Sequence, residues 1–310
     1  MVTTEVSRPV AASRTGPPRR WPQPGRAYRT FQVINALILA GVVAAVLFPL
    51  LNVLAQSFSG EKPIESGQVT LWPRGFNVTT YQHVMSDPLF WANYRNTVFY
   101  TVTATVVSMV LTTCYAYVLS KRHLRGRKVL IGLAVFTMFF NGGIIPNYVL
   151  VSGLHLRDSV WAIALPNAIS VFNLLVMKTF FENMPSELEE AAAVDGLDTY
   201  RILLRIVLPL SKAVIATMVL FYAVAFWNSW FSAFLYMDKE GLFTATVYLR
   251  NVIDSITSVA NEQMAAGTQV QIAANIKAVT VVLVAVPVLS VYPFIQRYFV
   301  SGVMLGAVKG

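Results

Sequence analysis

The chain has 310 residues, of which 55% are hydrophobic and only 13% charged, with a net charge of +9; soluble domains carry about 25% charged residues. The charged residues are clustered and leave six long uncharged runs: Thr30–Gly60, Asn96–Ser120, Val129–Leu156, Ser159–Met177, Ala213–Met237 and Ala278–Gln296. A soluble core does not supply six such runs, each long enough, at about 1.5 Å per residue, to cross a hydrocarbon layer of about 30 Å.

In chain order, residues 1–28 are rich in Arg and Pro without an apolar period and read as a disordered cytoplasmic tail. Residues 29–310 read as one transmembrane domain. In lipid the backbone must satisfy its own hydrogen bonds, so the runs read as six transmembrane helices of an all-α membrane protein. Their bounds are about 31–56, 93–119, 129–151, 159–179, 211–237 and 274–296. The first is longer than the apolar stretch of a cleaved signal and reads as a retained span. With the N-terminus inside, 17 of the 24 Lys and Arg fall on the cytoplasmic side, which places both termini there. The basic balance is then a topology signal rather than a nucleic-acid footprint.

Between spans one and two, Trp72, Phe76, Tyr81 and Trp91 suit a segment resting at the outer interface. The lone cysteine, Cys114, falls within span two and is expected as a small core residue. Lys121–Lys128 forms a compact basic hairpin, the strongest inside marker. Spans three to five then carry Asn141-Gly142-Gly143, Pro146-Asn147, Pro166-Asn167, Asn173 and Trp227-Asn228-Ser229-Trp230, and span six carries Pro287 and Pro293. Gly and Pro interrupt helices where neighbours or water re-satisfy the freed groups. Amides within a span face the bundle or a wet cavity. Asn141, Asn147, Asn167, Asn173, Trp227, Asn228 and Trp230 are therefore candidates for a translocation path; the competing role is glue between helices. Asp238–Lys277, outside and polar, is too long for a mere turn and suits docking or gating, or else a solvated loop.

The cytoplasmic loop, residues 182–210, is the most structured connection. Ser186 and Glu189 have capping-box spacing. Glu187, Glu189 and Glu190 set negative charge at the positive end of a short helix, and Gly196 stands where a left-handed C-cap would end it. Asp198 can cap a second helix, Thr199–Leu208, and Pro209 marks a boundary before span five. The alanines of the first helix allow close approach of another surface.

The run Glu190-Ala191-Ala192-x3-Gly196-x9-Ile206-x-Leu208-Pro209 resembles the EAA motif of permease subunits of bacterial ABC importers, and it lies between the fourth and fifth spans as in that family. Phe140–Tyr148 and the ending Gln296–Gly310 resemble the LplC group of carbohydrate permeases, related to the MalG-type subunit of the maltose importer. The resemblance implies a type I ABC importer permease fold in a bacterial plasma membrane. It implies that Glu190, Ala191, Ala192, Gly196, Ile206, Leu208 and Pro209 couple the chain to ATPase subunits. The implied partners are a second, different permease, two ATPase subunits that use ATP and Mg, an extracytoplasmic solute-binding protein and a sugar. The chain itself has no phosphate-cradling G-x-x-x-x-G-K-[ST] run, no H-E-x-x-H and no G-x-S-x-G, and its His83, His123 and His155 are scattered. It therefore reads as a transport subunit that binds no cofactor and no metal. A non-sugar cargo such as peptide, or an ion-coupled secondary transporter, are the competing functions; the second needs charged groups within spans, which these runs lack.

Overall fold

The computed structural model describes residues 25–265 and 275–290. Most of the expected tail, the end of the sixth span and the Gln296–Gly310 motif lie outside these residues. Among the described residues every regular element is helical. The chain divides into two units, residues 1–50 and 51–310.

The first helix, α1 (Arg26–Ser57), begins inside the segment expected as tail. Within the first unit its side chains from Ala36 to Leu50 are apolar on every side, and Leu37, Val42 and Val46 are exposed, as suits a helix solvated by lipid rather than water.

In the second unit, Asn52 Nδ2 donates to the carbonyls of Val69 (3.1 Å) and Thr70 (2.8 Å), and Tyr81 OH donates to Ser57 Oγ at 2.8 Å. These bonds and the stacking of Phe58 on Phe76 and Tyr81 fold the 58–87 segment into a compact piece. The central helix is α2 (Pro88–Ser120). Asp87 caps it, accepting from Leu89 N–H, and Pro88 occupies the first turn where its missing N–H costs nothing. Tyr248 OH donates to the other oxygen of Asp87 at 2.8 Å; burial and then that bond hold its phenol above the usual range, so it stays a donor.

α2 is patterned inside out. Asn93, Asn96, Thr97, Thr101, Thr105, Ser108 and Thr112 are buried, whereas Val98, Val102, Val106, Val110 and Val118 are exposed. Cys114 falls on that exposed stripe at the same four-residue spacing, not in the core as expected. The reason is the solvent: where lipid surrounds a bundle, apolar groups face out and polar groups turn inward.

Next come α3 (Arg127–Phe139), α4 (Ile144–Gly153), a short helix Val160–Ala164, and α5 (Val171–Glu182). The 182–210 loop supplies α6 (Ser186–Val194) and α7 (Thr199–Leu210). α8 (Lys212–Trp227) and α9 (Trp230–Tyr236) follow, then α10 (Ala245–Ala265) and α11 (Asn275–Ser290). Tyr117, Leu119, Leu174, Met177, Phe181 and Met218 pack one core around α2, α5 and α8.

Two helices, Tyr28–Ser57 and Pro88–Ser120, are each long and apolar enough to cross a membrane; α3 with α4 and α7 with α8 pass the same test as pairs bent by 112° and 86°. The expected third, fourth and fifth spans are interrupted rather than continuous. Breaks fall at 140–143, at 165–170 and at 228–229. Gly143 makes the first: its φ of 87° and ψ of 178° belong to a region open essentially to glycine alone, and Asn141 Oδ1 accepts its N–H at 3.0 Å. Pro166 lies in the second break.

The 238–245 link is pinned to α2. Asn96 Nδ2 donates to Gly241 O at 2.7 Å, Tyr100 OH to Leu242 O at 3.1 Å, and Ala245 N to Thr97 Oγ1 at 2.7 Å. Arg157 pairs with Asp238, whose N–H donates to Asp158 Oδ1 at 2.7 Å. Part of the segment expected as a polar loop is the helix α10.

Candidate functional site: a cavity at three helix breaks and the 182–210 loop

The three breaks wall one cavity of about 950 Å³. Asn141, Gly142 and Gly143 line it from the first break, Pro166, Asn167 and Ser170 from the second, and Ser229 from the third. Irregular backbone at membrane depth is tolerated where protein or a wet cavity satisfies its amides and carbonyls. The remaining wall mixes aromatic, hydroxyl and aliphatic side chains, with Phe172, Phe226 and Phe231 beside Tyr222, Ser232 and Tyr236 and with Met138, Ile144, Ile169, Val171 and Leu235. No Asp, Glu, Lys, Arg or His is among the lining residues. Such a surface offers amide and hydroxyl hydrogen bonds together with aromatic faces, and no fixed charge.

Of the path candidates, Asn141, Asn147, Asn167 and Asn173 line this cavity. The other three lie elsewhere. Trp227 is buried, edge-on to Tyr94, with Nε1 donating to Val284 O at 3.2 Å. Trp230 lies under the Arg250 guanidinium at 4.5 Å. Asn228 donates back to Val224 O at 2.8 Å. Sequence reasoning did not single out Tyr222, which is the joint of the wall. Its OH lies 2.6 Å from Thr112 Oγ1 of α2 and accepts Ser170 N–H at 2.9 Å, so it ties α8 to α2 and to the second break. Nothing local marks it, because both partners are distant in sequence.

The 182–210 loop folds as helix, glycine turn, helix. Gly196 has φ 79°. Its N–H donates to Ala193 O and that of Leu197 to Ala192 O, both at 3.0 Å, which is a Schellman closure of α6. Asp198 caps α7 through Arg201 N–H at 2.8 Å. α7 runs to Leu210, beyond the expected Leu208, through a π-helical turn at Leu203–Val207. Pro209 cannot donate to Arg205 O, and the widened turn accommodates that missing bond; the sharp bend into α8 follows at Ser211. The capping box does not form. Pro185 precedes α6, Ser186 is its first residue and makes no side-chain cap, and Glu189 pairs with Lys121 instead.

Of the motif residues, Ala192 is buried in the core and Ile206 half-buried against it, while Glu190, Ala191 and Gly196 are exposed. Leu208 is half-buried against the core and Pro209 is exposed. Val194, Tyr200 and Leu204 are exposed around them, at 88%, 76% and 62%. The loop therefore exposes these apolar side chains among charged ones, with Glu187, Glu190, Asp195, Asp198, Arg201 and Arg205 also exposed.

Residues 89–305 match the family of binding-protein-dependent transport system inner membrane components. Protein LplC of Bacillus subtilis (strain 168) is 40% identical over 287 residues, covering 92% of this chain and 97% of LplC. The polygalacturonan/rhamnogalacturonan transport system permease protein YtcP of the same organism is 40% identical over 280 residues, covering 90% and 97%. A crystal structure of a bacterial ABC transporter involved in import of the acidic polysaccharide alginate contains a chain with TM-score 0.80 and 32% identity; the match covers 90% of this chain and all of that one.

Proposed function

The chain belongs to the family of binding-protein-dependent transport system inner membrane components, and from that premise we propose that it is a permease subunit of an ATP-driven importer, moving a sugar or oligosaccharide from an extracytoplasmic binding protein into the cytoplasm. The observation that carries this is the meeting of three helix breaks at one uncharged cavity lined by amides, hydroxyls and aromatic rings. Sugar hydroxyls are matched by such groups, and the carboxylates of an acidic oligosaccharide can accept from the same amide N–H donors. The names of YtcP and of the alginate importer point to uronate-containing chains as the first cargo to try.

In this reading the chain crosses a bacterial plasma membrane six times with both termini inside, and a second, different permease covers the open side of the cavity. Two ATPase subunits bind ATP and Mg and receive α6 and α7, with Glu190, Ala191, Ala192 and Gly196 at the contact and Ile206, Leu208 and Pro209 holding the second helix in place. ATP-driven closure then moves the loop, and the paired permeases rock from inward-open to outward-open. The exposure of the large side chains of Val194, Tyr200 and Leu204 in so short a loop supports such a contact. Asn141, Asn147, Asn167 and Asn173 are the path residues this geometry favours.

The test is uptake of labelled oligogalacturonides and alginate oligosaccharides by cells with and without the gene. Loss of one of these sugars on deletion is expected. Unchanged uptake of both, with loss of labelled peptide uptake instead, would overturn the sugar reading.

A further inference from the structure

The basic hairpin between α2 and α3 does more than mark a side of the membrane. Lys121 pairs with Glu189 of α6, and Arg127 pairs with Glu182 at the end of α5. Lys178 Nζ reaches the second oxygen of Glu182 at 2.7 Å. So the cytoplasmic loop is held to the hairpin at two points, once where it leaves α5 and once on its own helix.

These pairs differ from ordinary surface pairs. Their side chains are only 14–25% exposed, whereas Arg201 and Asp198, 4.0 Å apart, are both above 60%. Half-buried charges are screened less by salt and solvent, and they lose more when one partner is removed. The surroundings are built around them as well. Lys121 Nζ sits 4.0 Å from the Tyr117 ring, which meets Phe181 edge-on at 6.2 Å. Arg127 Nε donates to Leu119 O at 2.7 Å, so one guanidinium closes the end of α2 and holds Glu182. The neighbouring motif acid, Glu190, is exposed, while Glu189 is turned inward.

We infer that Lys121–Glu189 and Arg127–Glu182–Lys178 form a strut that makes α6 and the inner ends of α2 and α5 move as one body, with these five side chains as positioning residues for coupling. The inference rests on the reading of residues 182–210 as the ATPase-docking loop. From the strut, α2 leads directly to the cavity, because Thr112 contacts Tyr222 of its wall. Contiguous packed elements of this kind carry coupling between distant sites.

The test reverses the charges of the more exposed pair. Lys121→Glu, Glu189→Lys and the double variant are expressed in cells together with the native partner subunits. Three quantities are read: uptake of labelled oligogalacturonide and alginate oligosaccharide, ATP hydrolysis by the complex purified through a tag on this chain, and the amount of ATPase subunit that co-purifies. Each single reversal is expected to lower uptake per ATP hydrolysed by about fivefold or more, or about 1 kcal/mol of coupling, with co-purification unchanged. The double variant and Lys121→Arg are expected to recover most of that ratio. Normal transport by both single variants overturns the strut. So does a parallel fall of uptake and hydrolysis that leaves the ratio unchanged, and so does a double variant that assembles but stays uncoupled. Gly196→Val in the same assay separates the two levels. If it blocks transport while the pair variants transport normally, only the strut falls; if it also transports normally, the docking-loop reading falls.

Discussion

Tyr222 shows how one side chain can organise a site that it does not announce in the sequence. Its hydroxyl serves Thr112 Oγ1, which is fully buried, and the N–H of Ser170 at a helix break. Tyr222→Phe keeps the ring and removes both partners' bonds. A buried donor or acceptor left without a partner costs about 1–3 kcal/mol. We expect a lower thermal unfolding midpoint for the purified variant complex, together with weaker sugar uptake at unchanged expression. Retention of both would mean that the wall is held by packing alone. At the same scale, Lys121 shows why composition is an incomplete guide. The sequence reads it as one of five cations in a hairpin, and the fold assigns it to Glu189 and to the face of Tyr117.

At the scale of elements, the breaks matter more than the helices they interrupt. α3 ends and α4 begins 112° away because Gly143 adopts a backbone conformation that a Cβ disfavours. No heavy atom lies within 4 Å of a Cβ built there. Any loss in Gly143→Ala therefore reports backbone strain rather than a clash, at a cost of about 1–3 kcal/mol. Sugar uptake is expected to fall while the amount of chain in the membrane holds, measured in cells carrying the variant. Wild-type uptake would show that the bend is not needed for the path. α2 makes the complementary point. Its polar face is buried and its valine stripe exposed, which is the pattern a helix takes when its outer solvent is lipid.

For the whole molecule, the proposed six-span arrangement with both ends inside makes a direct prediction. Cys114 is the single cysteine, so its replacement by serine gives a background without reactive thiols. Exposed positions on each side then report topology. Arg125→Cys and Val194→Cys are expected to react with a membrane-impermeant maleimide only after the membrane is opened, and Lys239→Cys in intact cells once any outer barrier is permeabilised. Reaction of Arg125→Cys in closed cells would reverse the orientation. The hairpin and the 182–210 loop must lie on one side for their ion pairs to exist, as the structure has them, and Arg125 and Val194 should behave alike.

Much of this was legible in the residues. Uncharged runs, clustered charges and the Glu190-Ala191-Ala192…Gly196…Pro209 pattern point to a membrane permease, and Gly196 and Asp198 terminate and begin the loop helices where their chemistry predicts. The helix breaks at Gly143 and Pro166 were marked by residues that interrupt helices anywhere, whereas the break at 228–229 carries neither Gly nor Pro and was not marked. The marked features are local properties, set by a few neighbours along the chain, so sequence by itself determined them. It misjudged Ser186, Glu189 and Cys114, and it could not tell which amides meet at the cavity, since Asn173 and Asn228 look alike until the bundle is assembled. It also left open that Tyr222 joins three segments and that Glu182 and Glu189 answer Arg127 and Lys121. Only the tertiary structure decided those, because each is a choice among distant partners, and burial and packing set it when helices far apart in the chain come together.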